Sequence, residues 1–517
     1  MKKLITLLLL VTAFNAFSQD WPVKRQVMAA KAKQVVFKNI PAFSFVANKT
    51  LAQRGTYQQL KLNTSLLAEL MNQRPDAIRV TLPLGNNKTI TCDLVKFSLG
   101  NVKFTENNNS VIENVKLPVT YRGIVTGEEN KNNVMLTVNE DYLSLTASMS
   151  DKVLQVTKAD EKDKSTYRLY NSTMVRFPEL QPLDCGTNKG HTSETANGIQ
   201  LTGVQANPLA VEDKCVFVFV DCFDSMYVWR QSSIQQTVNY VYELYNYVTA
   251  GYYNEGINIQ ITTINVWTIP DPYSHDTRES SLAGLAANWK DNFWGNICVG
   301  LDHSTTNKGK GGLAGDIGRI KGLTVNTCPA YVPKQSGADS VSACSYADLN
   351  FYGNIQNFPT GVNVTGNQIL VVMHEMGHQL GAHHTHWCGW KLTSNPDTYG
   401  AIDSCAPTEN FNGSTCPKGP APPGSGGTIM SYCHLDTLQF INYQSGFGTL
   451  PGNAIRNFVD QSACILLCVD CSASINRTNN NRSYAYHKNE GPVRKNNNER
   501  EDDGGSQFLI IPKKIKQ

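Results

Sequence analysis

Residues 374–384 read His-Glu-Met-Gly-His-Gln-Leu-Gly-Ala-His-His, and this stretch limits the fold of the chain more than any other. On a helix, side chains four positions apart share a face, so His374 and His378 can point at one metal ion. Glu375 then sits beside that ion rather than under it. Gly381 permits the left-handed turn that ends a helix and lets the chain double back. The reversal brings His384 in as a third imidazole from outside the helix. Three neutral ring nitrogens leave a fourth position open for water, as a catalytic zinc requires. The helix, expected over 367–380, carries Ile369, Leu370, Val372, Met373, Met376 and Leu380 around most of its circumference, so it belongs in a core. Polar groups buried there need compensation, and metal coordination provides it.

A chain of 517 residues exceeds one ordinary domain. Its net charge of +3 gives no reason to expect nucleic acid as a partner. Met1-Lys2-Lys3 and the apolar run Leu4–Phe17 form a signal peptide, with cleavage expected near Ser18 or Gln19. That run is shorter than the roughly 20 residues of a spanning helix, and no later segment is long enough to cross a bilayer. The expected location is therefore secreted, extracellular or periplasmic. Fourteen cysteines in an exported chain read as a disulfide framework rather than free thiols. Only Cys92 and Cys185 precede residue 200, so the middle of the chain reads as a separate, stapled unit.

The segment 19–205 reads as an independent β-rich region. Ile78–Leu82 and Val134–Val138 alternate like half-buried strands between Asn- and Gly-rich turns. Residues 186–210 are polar and aperiodic, an exposed linker open to proteolysis. From 206 to 471 the pattern changes to α/β. Cys215–Val220 is a continuous apolar strand, Ser232–Ala250 has helical spacing, Ile257–Trp267 alternates, Leu282–Trp294 is helical and Ile297–Leu301 is a third strand. Gly312–Gly315 is either an edge strand or a Gly-rich loop. Residues 387–427 combine Pro, Gly and three cysteines, and 454–464 reads as a closing helix. The tail 472–517, with its Asn runs and mixed charges, has a disordered composition.

The histidine pattern extended by Gly381 and His384, together with Gly427-Thr428-Ile429-Met430-Ser431-Tyr432, resembles the metzincin zinc metalloproteases, in their reprolysin-like form. The resemblance implies an α/β (α+β) catalytic domain with a mixed sheet, an active-site helix and a Met-turn, preceded by a β-rich propeptide. It implies one zinc held by His374, His378 and His384, Glu375 as general base, and Met430 as an apolar floor beneath the histidines. In the same resemblance Cys185-Gly186 is a cysteine switch whose sulfur takes the open zinc position; the alternative is a disulfide from Cys185 to Cys92. Tyr432 occupies the place of a tyrosine that helps stabilise the oxyanion in related branches, or it is simply packed. His383 lacks the family spacing and belongs on the loop surface. Reprolysins carry Asp directly after the third histidine, where this chain has Thr385.

The expected activity is hydrolysis of a protein or peptide substrate by a secreted zinc endopeptidase made as a zymogen. Alternatives are a pappalysin-like protease and a non-cleaving, zinc-containing binding or adhesion protein. Structural calcium is common in such proteins, but no acidic loop marks a site here. Substrate preference and oligomeric state are not written in the sequence.

Overall fold

The computed structural model describes residues 21–468, except 52–54, 109, 129–131, 150–151, 161, 172–184, 186, 188–194, 197–198, 201–212, 290–291, 305–310, 322–342, 351–365, 393–397, 424–425 and 434–440. The expected signal peptide, most of the linker and the tail lie outside the described residues. Among the described residues no helix is long and apolar enough to cross a membrane.

The N-terminal part begins with helix α1 (Pro22–Ala32) and contains α2 (Ser65–Gln73). Its strands are β1 (Lys38–Ile40), β2 (Phe43–Leu51), β3 (Gly55–Leu62), β4 (Ala77–Pro83), β5 (Thr89–Phe97), β8 (Val119–Val125), β9 (Asn133–Val138), β10 (Leu143–Ser148), β11 (Val153–Lys158) and β12 (Thr166–Asn171). They form one ten-stranded sheet in the order β1-β4-β5-β8-β9-β10-β11-β12-β3-β2. Apart from the parallel pair β1–β4, its neighbours run antiparallel. Strands β8 to β10 are buried along their whole length, because one face packs on the sheet's own core and the other on the next unit.

Two short strands leave this sheet. β6 (Lys103–Glu106) and β7 (Ser110–Val111) join a second, seven-stranded sheet in the order β18-β19-β17-β15-β16-β6-β7. Its other members are β15 (Cys215–Cys222), β16 (Asn258–Val266), β17 (Ile297–Asp302), β18 (Gly312–Ala314) and β19 (Cys344–Asp348). The expectation of an independent N-terminal region is corrected here, because the chain before residue 205 completes the edge of the α/β sheet. No sequence pattern marks a four-residue strand for one sheet or another. Between β12 and β15 a minimal hairpin pairs β13 (Thr195–Ala196) with β14 (Ile199–Gln200).

In the second sheet β6, β16, β15, β17 and β19 are parallel, and β18 returns antiparallel along β19. Gly312–Ala314 is thus an edge strand and not a loop. Parallel strands covered on both faces are mostly apolar; β15 and β17 are so apart from Asp221 and Asp302 near their C-terminal ends. Helices α3 (Asp224–Trp229), α4 (Ile234–Asn254), α5 (Arg278–Trp289), α6 (Gly366–Gln379) and α7 (Thr449–Gln461) complete the unit. Ser233 caps α4 by accepting from the Gln236 amide. Helix α5 spans 278–289 rather than the expected 282–294.

Disulfides join Cys215 to Cys468, Cys388 to Cys416 and Cys405 to Cys433. Cys92, Cys185, Cys222, Cys298 and Cys344 are buried free thiols. The expected all-disulfide framework therefore holds for the loops after α6 and for Cys215 at the start of β15. It fails at Cys92, Cys222, Cys298 and Cys344 in the sheets, where buried cysteines serve as small apolar residues. A Cys92–Cys185 bridge is excluded.

Candidate active site

Helix α6 places His374 and His378 on one face, and its end is set by Gly381 at φ +98°. There the Gly381 amide donates to the His378 carbonyl at 2.9 Å and the Ala382 amide to the Gly377 carbonyl at 2.9 Å. This reversal carries His384 back under the helix. Nε2 of His384 lies 3.0 Å from Nε2 of His374 and 3.1 Å from that of His378. Nδ1 of His374 donates to the Ile429 carbonyl at 2.8 Å, and Nδ1 of His378 to the Ala382 carbonyl at 2.7 Å. A carbonyl only accepts, so both Nδ1 atoms carry protons and both Nε2 atoms present lone pairs.

Burial, with His384 and His374 adding to it, holds the His378 pKa far below the ordinary range, which keeps it a neutral ligand. Three converging lone pairs repel unless a cation sits among them. Tetrahedral zinc with nitrogens at about 2.0–2.1 Å separates them by roughly 3.3 Å. The donor set fits zinc.

His384 turns its Nδ1 to Oε1 of Glu409 at 2.8 Å, and Nε2 of His386 lies 3.2 Å from the same oxygen. Burial raises the Glu409 pKa, but His384 and His386 outweigh it and hold this carboxylate well below its usual range. Glu409 lies between Cys405 and Cys416, so both loop disulfides fix its position. Its amide donates to the His386 carbonyl at 3.0 Å, and the Cys388 amide donates to its carbonyl at 2.9 Å. Sequence reading missed Glu409, for which no motif spacing exists.

Glu375 is fully buried one position beyond His374. Burial pushes its carboxyl up to about 8, against the weaker opposing pull of Cys185. Edge strand β18 crosses directly above it: a Cβ on Gly312 would lie 2.3 Å from Glu375 Oε1. Only glycine permits that approach. Met430 is fully buried, and its Sδ would lie 2.9 Å from a Cβ on Gly377 in α6. The Thr385 amide donates to the Met430 carbonyl at 3.1 Å. The residue that departs from the reprolysin pattern thus ties the histidine loop to the turn below it.

Cys185 enters this cleft from the N-terminal segment. Its Sγ and the three histidine nitrogens lie within 4.8 Å of one another, and it sits 3.3 Å from Glu375 Oε2 and 3.0 Å from Thr187 Oγ1. Tyr432 holds the same residue by its backbone. The tyrosine oxygen accepts from the Cys185 amide at 2.8 Å and donates to the Cys185 carbonyl at 3.1 Å. Thr187 Oγ1 accepts from the Ala314 amide of β18 at 3.0 Å. Thr187, a second residue that sequence reading missed, bridges the edge strand and Glu375, with its Oγ1 3.4 Å from Glu375 Oε2.

His383 is 1 % exposed and stacks on Trp387 with ring centroids 3.5 Å apart. It is a core residue, contrary to the expected place on the loop surface, because the stapled segment after it folds back as a lid. Cys185, His374, His378, His384, Glu375, Met430 and Tyr432 are brought together, while His383 and His386 stand behind the cluster.

The family model Reprolysin_5, Metallo-peptidase family M12, matches residues 214–440. Among solved structures, metalloproteinase-II from Bacteroides fragilis shares 11 % identity over 62 % of this chain and 85 % of its own, at a TM-score of 0.35. A chaperone-substrate complex shares 10 % identity over 34 % of this chain and 25 % of its own, at a TM-score of 0.21. No curated protein matches the chain.

Proposed function

Because residues 214–440 match the model of the reprolysin-type metallopeptidases of family M12, we propose that this chain is a secreted zinc endopeptidase of the metzincin type, made as a latent precursor. The observation that carries the reading is the convergence of three imidazole Nε2 atoms at 3.0–3.1 Å beside Glu375, with Cys185 in the cleft. In this reading residues 1–18 are a signal peptide, 19–205 a propeptide, 206–471 the catalytic domain and 472–517 a polar tail. The turn at Met430 is the Met-turn.

His374, His378 and His384 hold the zinc. The bound ion supplies Lewis acidity and lowers the pKa of a water to about 7. Glu375 takes a proton from the attacking water and passes it to the leaving amine. Strand β18 offers its main chain to an extended substrate, and Gly312 lets that chain lie against Glu375. In the latent state Cys185 and Thr187 fill the cleft. Tyr432, which clamps the Cys185 peptide, is released with it and can then donate to the developing oxyanion.

The decisive experiment compares the activated protein with Glu375→Ala on a denatured protein mixture. The parent is expected to cleave in a chelator-sensitive way with one zinc per chain. The variant keeps the zinc and loses about 10²–10⁴-fold in rate. Undiminished cleavage by the variant sinks the mechanism.

A further inference from the structure

Away from the blocked cleft, the N-terminal and catalytic units meet across a second surface. Strand β6 pairs in parallel with β16, Lys103 to Thr263 through Glu106 to Val266. Side chains clasp the seam. Asn265 Oδ1 accepts from Thr105 Oγ1 at 2.9 Å and from the Asn108 amide at 3.2 Å. Asn107 donates to Thr268 Oγ1 and accepts from the Thr268 amide, both at 2.9 Å. Leu99, Phe104 and Met135 of the N-terminal unit lie in the same apolar core as β15, β16 and α4.

Helix α4 turns a polar stripe, Glu243, Asn246 and Thr249, to the ten-stranded sheet. Glu243 Oε1 accepts from Ser144 Oγ at 2.6 Å. Asn246 Nδ2 donates to the Leu136 carbonyl and to Thr137 Oγ1, both at 3.1 Å. Arg122, fully buried, donates to Asn246 Oδ1 at 3.2 Å and to Thr249 Oγ1. These spacings place the polar groups on one helix face. Such a face is comfortable in water as well as under the sheet, which a purely apolar face is not. Among the described residues the three disulfides join only positions from 215 to 468. No described disulfide ties the units together.

We propose that the N-terminal unit is a separable subunit: when the chain is cut between 201 and 212 it stays docked through the shared sheet and the α4 stripe, and the cleft stays blocked. Cutting the linker is then the first of two steps, and with Cys185 in place activity appears only when the N-terminal unit is displaced or destroyed. Docking stands on the β6–β16 seam and the α4 stripe. The persistence of the block rests on the latent-precursor reading.

The test uses the full chain with a recognition sequence for a site-specific protease inserted between Asn207 and Pro208, cut in native buffer. At about 1 µM the two fragments are expected to elute together at the volume of the uncut protein, and cleavage of a casein substrate to rise less than twofold. A cut Cys185→Ala form is expected to elute the same way and to be at least tenfold more active. A cut Arg122→Ala, Asn265→Ala double variant is expected to separate. Separation of the unsubstituted fragments overturns the docking. Co-elution with full activity overturns the persistent block. Co-elution with no activity even from Cys185→Ala leaves the docking supported and counts against the peptidase reading instead.

Discussion

At the scale of single residues, the site depends on groups that never face the cleft. Glu409 fixes His384 from behind: its carboxylate accepts at Nδ1 and so orients Nε2 towards the other two imidazoles. A carboxylate behind a ligating histidine sets the tautomer and raises ligand basicity. Glu409→Gln keeps the shape and removes the charge, so it is expected to weaken zinc binding about 10–100-fold and to leave the fold intact. Competition with a zinc chelator measures this, with circular dichroism as the control for folding. Unchanged affinity in a folded variant removes Glu409 from the metal site.

The convergence of His374, His378 and His384 beside Glu375, and the glycine break, were legible because they follow helix geometry over eleven consecutive residues. Glu409 was not, because a partner 25 positions away is set by two disulfides and leaves no local spacing. His383 was misplaced for the same reason: only the folded lid supplies Trp387 as its stacking partner.

At the scale of elements, the strand ends of the α/β sheet hold a charge cluster away from the histidines. His275, in the loop after β16, has Nε2 3.0 Å from Asp271 Oδ1 and 3.8 Å from Asp224 Oδ1, and Nδ1 3.6 Å from Asp302 Oδ2. The Phe223 ring packs against it at a right angle. Hydrogen bonds to Asp271 and then Asp302 raise its pKa to about 10. A raised histidine pKa contributes stability that is complete below the ordinary value of about 6.5 and is lost as pH rises through about 10. Allowing for solvent screening, the contribution is roughly 1–2 kcal/mol.

Buried Asp348, raised to about 8 by burial and by Asp302, adds loss in the same direction up to that pH. The melting temperature of the full chain is therefore expected to fall between pH 7 and pH 10. His275→Gln should flatten part of that slope. Parallel slopes for parent and variant rule out the ion pair as a contributor. The succession of β15, α4, β16, α5 and β17 along the chain was legible from apolar runs and helical spacings, since each element buries a whole face. The charged loop between β16 and α5 had no period to read.

At the scale of the molecule, the catalytic sheet is incomplete without residues that precede it by more than a hundred positions. Strand β16 has β15 on one side and β6 on the other. Removing the N-terminal unit leaves an exposed parallel strand edge, a template for pairing with other chains, and strips Leu99, Phe104 and Met135 from the core. The sequence showed two composition regimes, β-rich and then α/β, and so suggested two self-contained units. A strand of four residues carries too little pattern to reveal that it crosses between them.

Residues 206–475 synthesised without the N-terminal unit are therefore expected to fold in low yield, whereas the same unit, once folded, keeps its sheet after displacement. Residues 19–205 supplied as a second chain in the same cell should restore soluble protein by filling the β16 edge. Phe104→Pro in that second chain takes away a strand amide and fixes the backbone at the seam, and should abolish the rescue. Soluble yield and tryptophan fluorescence of the 206–475 chain read the result. Equal yield with and without the partner chain means the catalytic unit completes its own sheet, and the seam is then a contact of the finished molecule rather than a condition for making it.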